Sequence, residues 1–209
     1  MSIDPSKVGL EGQPVERSWK AKDCQLYAVG IGCGTDELEF ATEKDQKVLP
    51  TFAVIIGGVG VPMNKIGKFN PAMLVHGEQA VYLERPIPVS GTITSRGKII
   101  SIWDKGSGAV VVTESNSVDK ETGDLIFKTR SSIFLRGEGG FGGDRGPITE
   151  KFEPGRAPDK QVTNKTREDQ ALTYRLSGDR NPLHSDPEFA KRGGFDQPIL
   201  HGLCTYGFT

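Results

Sequence analysis

Between Met73 and Arg136 the chain carries four stretches rich in β-branched and aromatic residues: AMLVHGEQAVYLERPIPV, GTITSRGKIISIWDKG, GAVVVTESNSVD and GDLIFKTRSSIFLRG. Turn chemistry separates them, at Arg85-Pro86, at Asp104-Lys105-Gly106 and at Lys120-Glu121-Thr122-Gly123. No other feature constrains the fold as strongly, because closely spaced runs of this kind predict an antiparallel meander over residues 73–136. A sheet of that size needs cover on one face. The run TFAVIIGGVGV after Pro50 is apolar nearly throughout, so it is either a core helix interrupted by glycine or a buried strand. Periodicity does not decide between these, but the run is the natural candidate for a helix lying on the sheet over residues 50–61.

On either side of the sheet the signals are more local. Apolar residues are scattered between Trp19 and Val29, where Asp23 reads as the N-cap of a short helix that Gly30, Gly32 and Gly34 would stop. Residues 137–160, GEGGFGGDRGPITEKFEPGRAPDK, are dense in Gly, Pro and charge and read as a linker or long loop. The expected organisation is an N-terminal unit over 1–136, a linker over 137–160 and the start of a second unit over 161–209. In that second unit, Thr166 and an acid three residues on form a capping-box pattern that predicts a helix at about 167–176. Ser177-Gly178 ends it. Asp186-Pro187 reads as an N-cap with proline at the first helical position, opening another short helix that Gly193-Gly194 closes.

Bulk properties exclude more than they assign. A formal net charge of −1 gives no electrostatic case for nucleic acid or a membrane surface. Cys24, Cys33 and Cys204 are odd in number and form no C-x-x-C, which argues against a disulfide framework and a structural zinc site and for a reducing compartment. The opening MSIDPSKVGLEGQPV has no apolar core of a signal peptide, and no run approaches the ~20 apolar residues of a spanning helix. A cytoplasmic location is therefore expected, with no targeting signal visible. Gly30-Ile31-Gly32 lacks the third glycine of a dinucleotide fingerprint, and no Gly-Lys pair completes a phosphate loop.

The chain has only three histidines, and each lies in a segment with chemical potential. In SGDRNPLHSDP, residues 177–187, Asp179 and His184 pair an acid with an imidazole five residues apart. They fall in a loop between two short helices, where Asn181-Pro182 can turn the chain back and aim both side chains at one point. Two readings stand: an Asx-type loop cap beside a structural histidine, or a base and an acid sharing one water. In PILHGLCTYGF, residues 198–208, the backbone N–H of Gly202 could lie free at a helix N-terminus and hold an oxyanion. The simpler reading is a core helix with His201 as a turn residue before it. In LVHGEQ, residues 74–79, His76 and Glu78 sit two apart, which on a strand is one face, either as a surface pair or as part of a site. Lys105 in DKGSG lies in a turn and could meet a phosphate.

Taken together, YRLSGDRNPLHSDPEFA (174–190) and GFDQPILHGLCTYGF (194–208) resemble the hydratase 2 motif of MaoC-like (R)-specific enoyl-CoA hydratases, similar to the hydratase part of peroxisomal multifunctional enzyme type 2. VLPTFAV (48–54), LVHGEQ, DKGSG and LRGEGGFGG (135–143) extend the resemblance over most of the chain. It implies an α+β, double hot-dog fold, in which each unit wraps an antiparallel sheet around a central helix, the second unit being incomplete because the chain reaches Thr209 as that helix begins. It also implies reversible syn addition of water to a trans-2-enoyl-CoA, an acyl-CoA thioester as substrate, no cofactor, no metal, and a homodimer. Asp179 and His184 match the catalytic acid/base pair, Asn181 the residue that positions the water, and Gly202 the donor to the thioester carbonyl. His76, Gly77, Lys105, Arg180, Pro182 and Leu183 match positions that contact the substrate. The N-terminal unit, which lacks a second GD-x-N-P-x-H, is expected to bind the acyl tail. The short second unit carries two further expectations: exposed Ile199, Leu200, Leu203, Tyr206 and Phe208 on its last helix, and weak or no hydratase activity, the alternative being a catalytically silent acyl-CoA-binding or assembly module. The resemblance also implies a peroxisomal location in a eukaryotic cell.

Overall fold

The computed structural model of the chain describes residues 3–58, 61, 63–148 and 153–209. The four expected runs form strands β2 (Leu74–Leu83), β3 (Gly91–Asp104), β4 (Gly108–Asp119) and β5 (Leu125–Arg136), joined by a shorter strand, β1 (Val15–Trp19). All pairings are antiparallel, in the order β1-β3-β4-β5-β2. The meander is therefore correct for β3, β4 and β5 and incorrect for β2, which crosses over to pair with β5 at one edge while β1 takes the place beside β3. Local turn chemistry sets the two hairpins: Gly106 adopts φ +77° between β3 and β4, and Gly123 adopts φ +76° between β4 and β5. Asp119 braces the second turn by accepting from the backbone N–H groups of Glu121 and Thr122.

The element covering the sheet lies where the apolar run predicted, but it is short. A 3-10 turn (Pro50–Phe52) leads into α3 (Ala53–Ile56), and Gly57 ends it. Close packing requires that glycine, because a Cβ at Gly57 would lie 2.1 Å from the ring of Phe127 on β5 and 2.8 Å from Ser117 Oγ on β4. Val59 and Gly60, the end of the expected run, lie outside the described residues. An antiparallel sheet in this strand order, with helix on one face between its first and second strands, is the hot-dog unit that the resemblance implies.

The longest helix is α1 (Ala21–Gly30). Asp23 is not its N-cap. Lys20 holds that position and Asp23 sits at the third helical residue, where its carboxylate accepts from the Lys20 backbone N–H at 2.8 Å. After the short α2 (Leu38–Ala41) and the sheet, the remaining elements are α4 (Gln170–Tyr174), α5 (Pro187–Arg192) and α6 (Gly202–Phe208), with single 3-10 turns at Arg175–Ser177 and Pro182–His184. The helix expected from residue 167 starts three residues later. Arg167 takes the Asp169 carboxylate in a two-bond ion pair, so the acid is not available as a cap. Asp186 caps α5 as expected, accepting from Glu188 N–H and Phe189 N–H.

Two apolar clusters fill the interior. One gathers Ile3, Ile66, Ile99, Ile102, Ala109, Val111 and Leu135 at one end of the sheet. The other joins Trp19, Tyr27, Phe52, Ile93 and Phe127 to Tyr174 and Cys204, with Leu200, Leu203 and Phe208 packed against it. The apolar side chains of the last helix are thus half-buried rather than exposed, because α6 and α4 pack on the C-terminal end of α1. Two polar contacts fix that junction: the Gly30 carbonyl accepts from Gln170 Nε2 at 2.6 Å and from Cys204 Sγ at 3.5 Å. All three cysteines are free thiols. Among the described residues no helix is long and apolar enough to cross a membrane.

Candidate active site

Gly178, at φ +136°, ends the 3-10 turn after α4 and turns the chain into the Asp179 loop. Two Asx turns then shape it: Asp179 Oδ1 accepts from Asn181 N–H at 3.1 Å, and Asn181 Oδ1 accepts from Leu183 N–H at 3.0 Å. Asn181 is the N-cap of the Pro182–His184 turn, which presents His184 back toward Asp179. The five-residue separation, which fits no helix or strand period, is closed in this way.

Three side chains converge at this point. One ligand atom each from Asp179, His184 and His201 lie within 4.8 Å of one another. Asp179 and His184 are half-buried and His201 is 1% exposed. The His184 and His201 rings stack with centroids 3.8 Å apart and planes inclined by 27°, and the Tyr174 ring packs on His201 in a tilted arrangement with centroids 4.8 Å apart. His184 Nδ1 lies 2.8 Å from the Ile199 carbonyl. A carbonyl only accepts, so Nδ1 carries the proton and the lone pair of neutral His184 is on Nε2. The same argument puts the His201 proton on Nε2, 3.3 Å from the Asp179 carbonyl. Burial, followed by the neighbouring His184, depresses the His201 pKa to about 4, so this ring is uncharged at neutral pH.

The arrangement suits proton transfer better than metal binding. Imidazole lone pairs lie in the ring plane, and two stacked rings direct them along nearly parallel planes rather than at one ion. A carboxylate and an imidazole whose Nδ1 is engaged by the Ile199 carbonyl, side by side, can instead hold one water between an acceptor and a proton carrier.

The other expected positions fall in three places. Gly202 is the first residue of α6, so its N–H has no acceptor within the helix, and it adjoins His201 in sequence. Arg180 and Pro182 are exposed beside Asp179, and Leu183 is half-buried, its carbonyl accepting from Ile199 N–H. Gly77 and Lys105 share a cleft of about 270 Å³ with Glu78, Trp103 and Pro147. There Lys105 Nζ donates to the Pro147 carbonyl and lies 5.4 Å from the centroid of the Trp103 ring. His76 faces the other side of the sheet.

That last separation corrects the expectation that His76 and Glu78 share a face. Pairing with β5 shifts register between them, making Gly77 a bulge residue, and one extra residue reverses the alternation of side chains. Glu78 accepts from Ser132 Oγ on one face, while His76 Nε2 lies 3.2 Å from Ser131 Oγ on the other. His76 lines a groove of about 260 Å³ on the helix side of the sheet, together with Thr113, Ser115, Thr129, Ser131 and Leu203. Leu203 follows Gly202 directly, so this groove reaches the start of α6. Neither cleft includes Asp179 or His184.

Sequence reasoning missed two residues. His201 read as a turn residue, and the only signal for it was its place directly before Gly202. Asp104 read as part of a turn. It is 6% exposed and accepts from the backbone N–H groups of Gly106, Gly140 and Gly142, each at 2.8 Å. Those bonds, Gly140 and Gly106 foremost, hold its pKa down at about 2 and fold the glycine-rich GGFGG segment over the β3–β4 turn that carries Lys105.

Known proteins match this chain along nearly its whole length. The MFE-2 hydratase 2 N-terminal domain family matches residues 18–137 and the MaoC like domain family matches residues 150–209. 3-hydroxyacyl-thioester dehydratase Y of Mycobacterium tuberculosis is 49% identical over 99% of this chain and 74% of its own length. The probable enoyl-CoA hydratase 2 of Dictyostelium discoideum is 45% identical over 100% of this chain and 75% of its own. Among solved structures, a MaoC-like dehydratase from Phytophthora capsici is 35% identical and superposes with a TM-score of 0.85 over 99% of this chain and 75% of that one. With both family models matched in order and relatives of 49% and 45% identity matched over about three quarters of their own length, the chain belongs to the MaoC-like hydratase 2 family.

Proposed function

We propose that the chain carries a 2-enoyl-CoA hydratase site of (R)-specific type, adding water reversibly to a trans-2-enoyl-CoA to give the (3R)-3-hydroxyacyl-CoA. The observation that carries this reading is the convergence of Asp179 and His184 within one loop, both touched by His201, the residue that directly precedes the Gly202 amide. Hydration of a conjugated thioester puts a hydroxyl on C3 and a proton on C2, and it passes through negative charge on the thioester oxygen. Asp179 and His184 Nε2 lie on one side of the water they would share, so hydroxyl and proton are delivered to the same face of the double bond, a syn addition. Asn181 uses Oδ1 for its turn, which leaves its amide N–H groups to orient the water. Gly202 N–H, at the start of α6, is the donor for the developing oxyanion, a contribution of typically about 2.7–4 kcal/mol in such sites. Adding water is redox-neutral and balances in protons, so the reading calls for neither a redox cofactor nor a metal. The names of the relatives, an enoyl-CoA hydratase 2 and a 3-hydroxyacyl-thioester dehydratase, support both directions of the same reaction.

The cleft of Gly77 and Lys105 is the proposed place for the charged part of the acyl-CoA, and the groove beneath His76 the place for its acyl tail. A homodimer belongs to the same reading: β2 is an edge strand that leaves Val75 and Tyr82 exposed, and solution mass decides it. The test of the chemistry is Asp179→Asn. The amide keeps an oxygen for the Asn181 N–H, so the loop is expected to hold its shape, while the proton acceptor is lost. Turnover of crotonyl-CoA should fall by a factor of about 10²–10⁴ with KM little changed. A variant within threefold of wild-type kcat would remove Asp179 from the mechanism.

A further inference from the structure

We propose that His201 is a positioning residue of this site: an uncharged imidazole that holds the His184 ring by stacking and ties down the Asp179 backbone, so that carboxylate and imidazole keep one fixed separation. Its chemical consequence rests on the hydratase reading, and its geometry does not.

Two restraints act on His184. The bond from Nδ1–H to the Ile199 carbonyl, at 2.8 Å, fixes the ring in its own plane, and the His201 face at 3.8 Å fixes it perpendicular to that plane. His201 itself packs against both Tyr174 and His184, and its Nε2–H reaches the Asp179 carbonyl. One buried ring therefore touches both members of the acid/base pair, the backbone of one and the side chain of the other.

The role requires His201 to stay neutral. Its Nδ1 is buried without a hydrogen-bond partner among the described residues, so a proton placed there would be a buried cation with no acceptor. The groups facing it are Tyr174 from α4, Arg175 from the following 3-10 turn, and Asp179 and His184 from the loop. Burial, His184 and Arg175 oppose protonation and Asp179 favours it, and the balance is well below the usual histidine range. When His184 takes a proton during turnover, it does so against an uncharged face rather than a second cation.

Imidazole nitrogen NMR of the full chain reads the arrangement directly. His201 should remain in the neutral Nε2–H tautomer from pH 8 down to pH 5, and neutral His184 should show the Nδ1–H tautomer. Two variants divide the two contacts. His201→Phe keeps a ring and loses the donor, and His201→Gln keeps a donor and loses the ring. His201→Gln, which removes the stacked face, should turn His184 into a mixture of tautomers, whereas His201→Phe, which removes the tie to Asp179, should not; each should lower kcat about tenfold or more with KM within twofold. In a His184→Ala background, His201→Gln should lower kcat no further, because it keeps the donor to Asp179 and the stacking effect passes through His184. Titration of His201 near pH 6.5, an Nδ1–H tautomer there, or a His184 spectrum indifferent to both variants would overturn the proposal, and the wild-type spectrum needs no variant to fold. A wild-type chain with these tautomers and no turnover of any enoyl-CoA supports the arrangement and removes the hydratase reading instead.

Discussion

Replacing Tyr174 by alanine should destabilise the whole chain rather than its C-terminal part alone. Tyr174 is 0% exposed and lies in one cluster with Trp19, Tyr27, Phe52 and Ile93, its ring 6.1 Å from Tyr27 and 4.8 Å from His201. Deleting a fully buried aromatic side chain costs about 3–5 kcal/mol through lost transfer energy and the cavity left behind. No hydrogen bond offsets or adds to this, because its hydroxyl is buried without a partner among the described residues. A domain of 150–250 residues loses about 2–4 °C of melting midpoint per kcal/mol, so the expected fall is about 6–20 °C. Thermal unfolding would be followed by far-ultraviolet circular dichroism and by tryptophan fluorescence in a Trp103→Phe background, where Trp19 is the sole reporter. Trp19 belongs to β1, some 150 positions earlier in the sequence, yet 3% exposed in the same cluster. Both signals should shift together in one transition. A Trp19 transition that stays in place while helical signal melts early would refute the claim of a shared core.

Two further substitutions probe the parts around the site. Asp104→Asn leaves one acceptor oxygen where the carboxylate used two, and turns an amide N–H₂ toward a backbone donor. Hydrogen exchange at Gly140 and Gly142 should therefore accelerate. Because the Asp104 pKa is depressed from 3.8 to about 2, its contribution is complete above about pH 4 and is lost as pH falls through about 2. Protection at those glycines should disappear over that window in the wild type, and unaltered exchange down to pH 2 would contradict it. Gly57→Ala sets a methyl group 2.1 Å from the Phe127 ring, an overpacking expected to cost about 1–3 kcal/mol. Chemical denaturation should show a lower midpoint with an unchanged slope, and an unchanged midpoint would mean that Phe127 can move aside.

The sheet was legible because its signals are local. Alternation and turn residues mark β3, β4 and β5 and their two hairpins, and nothing beyond a dozen neighbouring residues is needed to read them. Strand order is not local. The pairing of β2 with β5 depends on a crossover that no turn residue announces, and β1 has only five residues, of which Trp19 alone is buried. The same limit explains the helix starts. Asp169 looks like part of a capping box until Arg167 is seen to hold it, and Asp23 looks like a cap until Lys20 takes that position. The bulge at Gly77 defeats the period-2 reading of His76 and Glu78 by a single residue. At the site, the Asp179–His184 pair was readable because a proline turn and two Asx residues build it within one loop. His201 was not, since its role comes from a ring brought by another element and from burial, neither of which spacing records.

The glycine-rich stretch after β5 divides the sequence more than it divides the energetics. With the Gly30 carbonyl gripped by Gln170 and Cys204, and Tyr174 seated on Tyr27, the chemistry-bearing loop stands on a floor laid by the first thirty residues. Recombination at the junction is therefore expected to succeed only between lineages whose first helix ends in the same surface, and drift in that helix should register in turnover before it registers at the mouth of the site.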